Sequence, residues 1–354
     1  MAGLGMSMDW SDRRVLITGH TGFKGSWLSH WLLRREAEVF GLSLAPGTTP
    51  ALFDQLELAD RLDHRIGDIR TPGLVAERVA EVQPDAIFHL AAQPLVLRSY
   101  ADPIETWGSN VMGTLHVLDA ARRLTRPCAL VVITTDKVYE NREWPHAYRE
   151  PDRLGGHDPY SASKAATELV VASHARAFLK DGPVRLATAR AGNVIGGGDW
   201  AENRILPDLA RALAAGMPLA LRNPAAIRPW QHVLDPLFGY MAMAERMLAG
   251  RVVPEAVNFG PEPADLAPVR RLVEIALEHW PGTWQDASDP EAPREAGRLT
   301  LSIELARATL GWAPRWGLKD AVAHSIAWYR GVHEGEDPVA LTDAQITAFE
   351  AGAG

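Results

Sequence analysis

The stretch Val15-Leu-Ile-Thr-Gly-His-Thr-Gly-Phe-Lys-Gly25 decides the fold of this chain. A short apolar run at residues 15–18 is followed by three glycines spaced as GxxGxxG, and residues 27–35 are then typical of a helix. Glycines in such a loop let the backbone approach a pyrophosphate closely, and the following helix N-terminus supplies unbonded N–H groups and a favourable dipole. The stretch therefore predicts a dinucleotide-binding unit, the alternative being a glycine-rich turn without a ligand.

The rest of the first half repeats the alternation of strand and helix. Short apolar runs at residues 38–44, 86–90, 129–134 and 184–189 predict strands, and residues 111–124 predict a helix between two of them. This alternation indicates an α/β fold with a doubly wound, mostly parallel Rossmann sheet.

After residue 195 prolines divide the chain into short segments, which indicates a smaller, irregular C-terminal substrate-binding lobe. Helical patterns recur there at residues 207–215, 236–248 and 268–280. We expect the last dozen residues to fray. The predicted organisation is a dinucleotide-binding domain at 10–194 that returns near 228–250, a second lobe at 195–227 and 251–335, and a tail at 336–354.

Composition excludes several classes of protein. The 354 residues are 47% hydrophobic and 23% charged with a net charge of −8, which disfavours disorder and argues against nucleic acid or an anionic membrane as the main partner. Cys128 is the single cysteine, so no intrachain disulfide and no cysteine-based metal cluster forms, and no metal site is expected. The sequence has neither a signal peptide nor a long apolar run, and a cytoplasmic protein is expected.

A tyrosine and a lysine lie four residues apart in Tyr160-Ser-Ala-Ser-Lys164, which places both on one face of a helix. An ammonium group beneath a phenol lowers the pKa of the phenol, which then exchanges a proton with a substrate hydroxyl near neutral pH. The upstream glycine loop and the hydroxyls of Thr134 and Thr135 favour this interpretation over an ordinary surface tyrosine and lysine. We therefore predict proton transfer at Tyr160.

Thr135-Asp136-Lys137 is expected at the carboxyl end of the fifth strand, where doubly wound sheets bind ligands. A hydroxyl, an acid and a base in succession are candidates for chemistry beyond hydride transfer. The alternative is that Asp136 and Lys137 begin a solvated loop.

The remaining signals around the loop are weaker. Lys24 is predicted either to contact a phosphate or to be solvated. Only five of the 36 basic residues are lysines, so a lysine in this loop indicates a position where a compact ammonium group is needed. An acid that binds the adenosine ribose of NAD usually follows the second strand, and none is present there, so the choice between NAD and NADP is weakly encoded. Asp68 and Ile69 are candidates for the adenine end, the alternative being an aspartate that caps a helix.

Further motifs run along the chain: TGHTGFKGSWL at 18–28, AAQP at 91–94, TDK at 135–137 with NREW at 141–144, DPYSASK at 158–164, RAGNVIGGGDW at 190–200, IRPWQHV at 227–233 and LGWAPRW at 310–316. Together they resemble the extended short-chain dehydrogenase/reductase family and, within it, the CDP-glucose 4,6-dehydratases. The likeness spans roughly residues 10–330. The Asp136-Lys137 pair is its most specific part, because the related dTDP-glucose dehydratases carry Asp-Glu there.

The resemblance implies a lyase that converts CDP-glucose to CDP-4-keto-6-deoxyglucose by oxidation at C4, loss of water across C5 and C6, and return of hydride to C6. Tyr160 would remove the C4 hydroxyl proton, Thr135 would hydrogen-bond the same oxygen, and Lys164 would tune the tyrosine. Asp136 would protonate the departing C6 hydroxyl. Lys137 as the C5 base is a hypothesis, since a lysine needs a lowered pKa for that role, and the alternative pairs it with Asp136.

The same resemblance implies which residues surround the two ligands. Guanidinium groups suit a diphosphate and a tryptophan face suits a ring, although solvated arginines and a core indole are the alternatives. Around the cofactor NAD we expect Gly19, Thr21, Gly22, Phe23, Lys24, Asp68, Ile69, Ala91, Ala92, Gln93, Asn110 and Lys164. Around the CDP-sugar we expect Gln93, Asn193, Arg204, Arg228, Trp230 and Gln231.

The family also implies a homodimer or a dimer of dimers, formed through helices at 104–124 and 160–179, and a place in deoxysugar biosynthesis such as that of O-antigen lipopolysaccharide. A second enzymatic hypothesis is another nucleotide-sugar epimerase, reductase or dehydratase of this family. An NAD(P)-sensing regulator is disfavoured by the intact Tyr160 and Lys164. A structural scaffold would not require this spacing of Tyr, Lys, Asp and Gly.

Overall fold

A seven-stranded parallel sheet forms the centre of the protein, as a computed structural model of residues 9–288 and 298–352 describes it. Its strands are β1 (Arg14–Thr18), β2 (Glu38–Ser43), β3 (Asp63–Ile66), β4 (Ala86–His89), β5 (Cys128–Thr134), β6 (Val184–Ala191) and β11 (Ala256–Phe259). They are arranged in the order β11-β6-β5-β4-β1-β2-β3, and every neighbouring pair is parallel. The order reverses between β1 and β4, which makes the sheet doubly wound and confirms the predicted fold class.

Helices cover both faces of this sheet because its central strands are apolar on both sides. All seven residues of β5 are buried, for example. The helices are α1 (Phe23–Arg34), α2 (Leu52–Gln55), α3 (Pro72–Val82), α4 (Val96–Ala101), α5 (Pro103–Trp107), α6 (Thr114–Ala121), α7 (Pro159–His174), α8 (Ile205–Ala214), α9 (Leu234–Leu248), α10 (Val269–His279), α11 (Glu304–Leu310), α12 (Leu318–His333) and α13 (Pro338–Glu350). Among the described residues, no helix is both long enough and apolar enough to cross a bilayer.

Two of the predicted helices include short π-helical segments. The helix predicted at 111–124 is α6, and Gly108–Gly113 leads into it as a π-helix that follows directly on α5. In the same way Ala175–Leu179 continues α7 as a π-helix. Three short 3₁₀ turns, at Leu58–Asp60, Asp136–Val138 and Pro263–Asp265, complete the helical elements.

The second lobe is built from short strands in pairs. These strands are β7 (Val194–Ile195), β8 (Leu219–Leu221), β9 (Ile227–Arg228), β10 (Gln231–His232), β12 (Ala267–Pro268) and β13 (Trp284–Asp286). β7 pairs with β10 and β8 with β13 in parallel, whereas β9 and β12 are antiparallel. Residues 251–335 are predicted to lie wholly in this lobe, but β11 is hydrogen-bonded to β6 and belongs to the central sheet.

The C-terminal segment is a packed helix, so the expectation that the last dozen residues fray is wrong for residues 343–350. Asp337 begins α13 by accepting hydrogen bonds from the backbone N–H groups of residues 339 and 340. Phe349 is fully buried, with its ring 5.7 Å from that of Trp31 and 5.2 Å from that of Trp316. The apolar face of α13 therefore closes the core between α1 and the second lobe.

Candidate active site

A cavity of about 880 Å³ opens at the carboxyl ends of the central strands. It is lined by the loops that follow β1 and β4, the two strands between which the sheet order reverses, and open parallel sheets bind ligands at that position. Arg204, Arg228 and Trp230 from the second lobe also line it. The cavity therefore joins the glycine loop to the predicted substrate lobe.

Most of the predicted site residues meet on the wall of this cavity. The wall contains Gly19, Thr21, Gly22, Phe23, Lys24, Asp68, Ile69, Ala91, Ala92, Thr135, Lys137, Tyr160, Lys164, Asn193, Arg204, Arg228 and Trp230. Four predicted residues are not brought to it: Gln93, Asn110, Asp136 and Gln231.

The glycine loop presents bare backbone to the cavity. Gly19 has a φ of +81°, and a Cβ added there would lie 2.6 Å from the backbone nitrogen of Ala91. A Cβ at Gly25 would lie 2.1 Å from the carbonyl oxygen of Gly19, so α1 packs on the loop only without a side chain. Gly22 is exposed and precedes α1 without a side-chain cap. The first N–H groups of α1 thus lack a side-chain acceptor beside the cavity, which fits the pyrophosphate of a dinucleotide.

The end of the cavity beyond this loop carries Thr21 and Asp68. The Asp68 carboxylate accepts hydrogen bonds from Arg70, from its backbone nitrogen to Oδ1 at 2.8 Å and from Nε to Oδ2 at 2.8 Å, and these bonds hold the pKa of the carboxyl below its ordinary value. Thr21 shares a 2.8 Å hydrogen bond with the hydroxyl of Ser43. Thr71 is the residue that precedes α3, so Asp68 does not cap that helix. An ionised acceptor on the wall suits the hydroxyls of a ribose.

Tyr160 and Lys164 lie one turn apart near the start of α7. Asp158 fixes this start, because its Oδ1 accepts the backbone N–H of Ser161 at 2.9 Å. Both side chains line the cavity although they are almost completely buried. The Lys164 ammonium donates a 3.2 Å hydrogen bond to the carbonyl of Ile133, which ties α7 to the end of β5.

Burial dominates the ionisation of both groups. It raises the pKa of the Tyr160 phenol to about 12, while a hydrogen bond with Thr135 lowers that pKa and the charge of Asp136 raises it. Burial therefore outweighs the charges around the phenol, and the ammonium of Lys164 is directed to a backbone carbonyl, so the expected lowering of the phenol pKa by Lys164 stays a prediction. Burial also lowers the pKa of Lys164 to about 8.

Asp136 and Lys137 form an ion pair directly after β5. Lys137 Nζ lies 3.3 Å from Asp136 Oδ1, which also accepts a 2.8 Å hydrogen bond from the hydroxyl of Thr135. Asp136 is fully buried, and Lys137 is the partner that lines the cavity. Asp136 was expected to protonate the C6 hydroxyl, but its carboxyl group packs against the backbone of Gly192 and is not on the cavity wall. Lys137 is thus paired with Asp136, which is the alternative to a free lysine acting as the C5 base. Because Asp136 is buried, it does not begin a solvated loop.

Gln93 and Asn110 support the loop after β4 instead of facing the cavity. The amide of Gln93 donates to the hydroxyl of Thr106 at 2.8 Å. Asn110 Oδ1 accepts the backbone N–H of Gln93 at 2.9 Å, and its amide donates to the hydroxyl of Ser163 at 2.9 Å. Their prediction as direct ligand contacts is corrected, since these bonds direct both amides into the protein.

On the substrate side, Arg204 pairs with Asp199 through a 2.7 Å contact from Nη1 to Oδ2. Asn193 has a φ of +47° and lines the cavity together with Trp230. Gln231, in contrast, is 1% exposed and donates to two backbone carbonyls at 2.9 and 3.2 Å. Its prediction as a substrate contact is corrected, because its amide ties the second lobe to the central sheet.

Positive charge is concentrated on the cavity wall although the chain has a net charge of −8. Lys24 is half-buried there, and burial together with the charges of Arg204 and Lys164 lowers its pKa to about 7. In the described part of the chain, three aspartates, Asp68, Asp199 and Asp208, share the wall with these cations. Such an excess of cations fits a ligand with several phosphate groups. The cationic wall residues are Lys24, Arg98, Lys137, Lys164, Arg204, Arg222 and Arg228.

Some wall residues are not among those predicted from the sequence, for example Asp199, Arg98 and Arg222. Asp199 carried a usable signal, because it directly follows three glycines at 196–198 and precedes Arg204 by five residues. Arg98 and Arg222 carried none, since arginine is the common cation throughout this chain.

Comparison with known proteins places this geometry in a family. The profile of the GDP-mannose 4,6 dehydratase family matches residues 16–325. A CDP-glucose 4,6-dehydratase from Salmonella typhimurium strain LT2 is 43% identical over 347 residues, which cover 96% of this chain and 97% of that protein. A dTDP-glucose 4,6-dehydratase from Streptomyces antibioticus is 31% identical over 356 residues, covering 96% of this chain and 99% of that protein.

Solved structures show the same fold. A dTDP-glucose 4,6-dehydratase from Streptomyces venezuelae, solved with NAD and TYD bound, aligns with a TM-score of 0.77 at 27% identity and covers 92% of this chain and 99% of its own. A UDP-glucose 4-epimerase from Thermus thermophilus, solved as a complex with NAD, aligns with a TM-score of 0.78 at 25% identity and covers 90% of this chain and 99% of its own.

Proposed function

The chain belongs to the GDP-mannose 4,6-dehydratase family, and on that premise we propose that it is a lyase that converts CDP-glucose to CDP-4-keto-6-deoxyglucose with NAD as its cofactor. The Asp136–Lys137 ion pair carries this proposal, because it lies beside Tyr160 and Thr135 at the end of β5. A dehydratase needs such an acid–base unit in addition to the groups for oxidation at C4, and an epimerase does not. The CDP-sugar is favoured because the relative that acts on CDP-glucose has the higher identity.

The residues around the glycine loop fit NAD. The N-terminus of α1 beside Gly22 would hold the pyrophosphate, Asp68 would accept the hydroxyls of a ribose, and Lys164 would hold the nicotinamide ribose. The chemistry that NAD supplies, when bound, is the removal of a hydride from C4 of the sugar and its return to C6.

Oxidation at C4 uses Tyr160, Thr135 and Lys164. The phenolate oxygen of Tyr160 takes the proton of the C4 hydroxyl, and the hydroxyl of Thr135 would turn from Asp136 Oδ1 to donate to the same sugar oxygen. Burial raises the phenol pKa to about 12, although the charge of Arg204 opposes that rise. The site therefore pairs a strong base with a cation that partly offsets its desolvation.

A ketone at C4 acidifies the proton at C5. The Asp136–Lys137 pair removes this proton and assists the loss of water. The 3.3 Å contact lets one proton pass from Lys137 Nζ to Asp136 Oδ1, which leaves a neutral amine on the cavity wall. The amine takes the C5 proton, and the resulting ammonium gives a proton to the C6 hydroxyl, which departs as water. The amine then takes back the proton held by Asp136 and passes it to C5. The pair regains one proton from solvent, and Tyr160 releases to solvent the proton that it took from the C4 hydroxyl.

The second lobe holds the nucleotide. Arg204 and Arg228 suit the diphosphate through paired N–H donors, and the indole of Trp230 suits the face of a ring. Because Arg204 also pairs with Asp199, its guanidinium is held in place before the substrate arrives.

The decisive experiment supplies CDP-glucose and NAD⁺ in heavy water and measures the product mass and the NADH absorbance. We expect loss of one water, one deuterium at C5 and no accumulated NADH. An unchanged mass with inverted C4, or stoichiometric release of NADH, would reject the proposal. K137A is expected to lose exchange at C5, and K319A, at an exposed lysine outside the cavity, is the matched control.

We propose in addition that two chains pair through α5, α7 and their π-helical extensions. These elements pack against each other and expose apolar side chains: Ile104 is 84% exposed, Leu169 62% and Phe178 56%. Isolated exposed residues need no explanation, but a cluster on adjoining helices indicates an interface. Sedimentation should give a dimer that I104E/L169E converts to monomer. V252E, at an apolar residue 88% exposed elsewhere, should leave the dimer intact.

We further propose that the enzyme works in the cytoplasm and supplies deoxysugar biosynthesis, such as that of O-antigen lipopolysaccharide. The single cysteine, Cys128, has no second cysteine in the chain with which to form a disulfide, which agrees with a reducing compartment. Detection of the enzyme in the soluble fraction of a lysate, and loss of deoxysugar from the cell surface on deletion of its gene, test both statements.

A further inference from the structure

A buried polar network centred on Glu168 lies behind the active-site end of β5. Glu168 Oε1 accepts the hydroxyl of Thr134 at 2.5 Å. Its Oε2 accepts the hydroxyl of Thr188 at 2.7 Å and pairs with the guanidinium of Arg190 at 2.8 Å. Glu168 and Arg190 are each 4% exposed, so the ion pair is withdrawn from solvent.

The network crosses three strands and one helix. Arg190 Nη1 donates to the hydroxyl of Tyr139 at 2.8 Å, and that hydroxyl donates to Asn258 on β11 at 2.7 Å. Thr134 lies on β5, Arg190 on β6 and Glu168 on α7. Because a buried ion pair is often no more stabilising than apolar residues of the same volume, stability alone does not account for this arrangement.

The network reaches the proposed catalytic groups by two routes. Tyr160, Lys164 and Glu168 follow one another at four-residue intervals along one face of α7, and the Glu168 charge opposes the effect of burial on the pKa of Lys164. The bond from Thr134 to Glu168 also fixes the strand end that includes Ile133, whose carbonyl accepts from Lys164.

We propose that Glu168 is a positioning residue of the active site, which keeps Lys164 in its charged form and fixes the strand end that leads into Thr135. This inference rests on the proposed function, because it takes Tyr160 and Lys164 as the pair that acts at C4. Nothing in the sequence motifs had singled out Glu168, although it lies one turn beyond Lys164.

The charged and titratable groups around Lys164 come from several elements. His89 on β4 is neutral in the working pH range, since burial and the Lys164 charge lower its pKa to about 3. Lys24 on α1 is repelled by Lys164. In the described part of the chain these groups include Lys24 from α1, His89 from β4, Tyr160 and Glu168 from α7, Asp136 facing Tyr160, and Arg190 from β6 behind Glu168.

The chain has only five lysines, which allows a direct test. Protein labelled at the lysine ε-carbon is titrated by NMR, and the Lys164 signal is assigned as the one that K164M lacks. We expect a midpoint near pH 8 in the unaltered chain, lower by about one pH unit in E168Q and unchanged in E168D. E245Q, at another buried glutamate, is the matched control and should leave the midpoint unchanged.

Activity provides the second readout. With CDP-glucose, the pH at which kcat/KM stops rising and levels off should move down in E168Q by the same amount, and E168D should restore it. T134V keeps the charge but removes the bond to β5, so it should lower kcat without moving that pH.

The outcomes separate the two proposals. A Lys164 midpoint in E168Q equal to that of the unaltered chain overturns the inference, whether or not CDP-glucose is turned over. A shifted midpoint in a protein that does not act on CDP-glucose supports the role of Glu168 and rejects the substrate. If E168Q does not fold, the double variant E168Q/R190M, which removes both charges of the pair, is titrated instead. A Lys164 midpoint equal to that of the unaltered chain then overturns the inference, and a lowered midpoint supports it.

Discussion

Replacement of Gly192 by alanine tests the buried position of Asp136. A Cβ at residue 192 would lie 2.1 Å from the Asp136 carboxyl carbon and from Oδ2, and 2.4 Å from Oδ1. Ordinary contacts begin near 3.4 Å, so the carboxylate must retreat by more than about 1 Å or turn away from Lys137. A displacement of about 1 Å in a catalytic group costs roughly 100-fold in rate, which is about 2.7 kcal/mol in the activation barrier.

The assay is stopped-flow absorbance of NADH together with quenched product mass, using CDP-glucose and NAD⁺. We expect G192A to oxidise C4 at a normal rate and to accumulate NADH, because the loss of water is then the slow step. Overpacking should also cost about 1–3 kcal/mol of unfolding free energy, measured in urea. G73A, where an added Cβ meets nothing within 4 Å, is the control. Turnover by G192A within twofold of the unaltered enzyme would refute the assignment of Asp136 to elimination.

Three further predictions concern ionisation and the C-terminal helix. Because Lys164, with a pKa of about 8, acts in its protonated form while Tyr160, with a pKa of about 12, acts as the phenolate, kcat/KM should rise with pH up to about 8 and level off above it. Burial raises the pKa of Asp235 to about 7, so the folded state binds the proton more tightly, and stability should decrease from about pH 4 to pH 7. D235N should flatten this slope, measured as urea unfolding at several pH values. F349A should lose about 3–5 kcal/mol of unfolding free energy, since it removes a fully buried ring from between Trp31 and Trp316.

Each of these predictions has its own control. If the pH at which kcat/KM levels off is unchanged in E168Q, a group other than Lys164 governs it. The Asp235 slope is taken as the difference between D235N and the unaltered chain, because other carboxyl groups titrate in both, and equal slopes would contradict the prediction. M217A removes an apolar side chain that is 61% exposed and should leave the free energy of unfolding nearly unchanged. A similar loss of unfolding free energy for M217A and F349A would contradict the packing of α13 into the core.

Local patterns predicted the elements that carry the site. Alternating apolar runs located β1, β2, β4, β5 and β6 within two residues at either end, because parallel strands buried on both faces need unbroken apolar sequence. The four-residue spacing of Tyr160 and Lys164 was sufficient to place them together, since a helix brings such residues to one face. The last helix was missed because its burial depends on Trp31 and Trp316, which are remote in sequence.

The sequence by itself determined the doubly wound fold, the glycine loop and the tyrosine–lysine pair, since each depends on spacing within a single strand, loop or helix. Only the tertiary structure decided that Asp136 is buried behind Lys137, that Gln231 is bonded to backbone, and that Glu168 reaches Arg190. The physical reason is that these side chains are directed by partners on other strands, such as Gly192 and Phe259, whose approach no local pattern encodes. Which residue lies on the cavity wall, and which stands behind it, is therefore a property of the packed sheet.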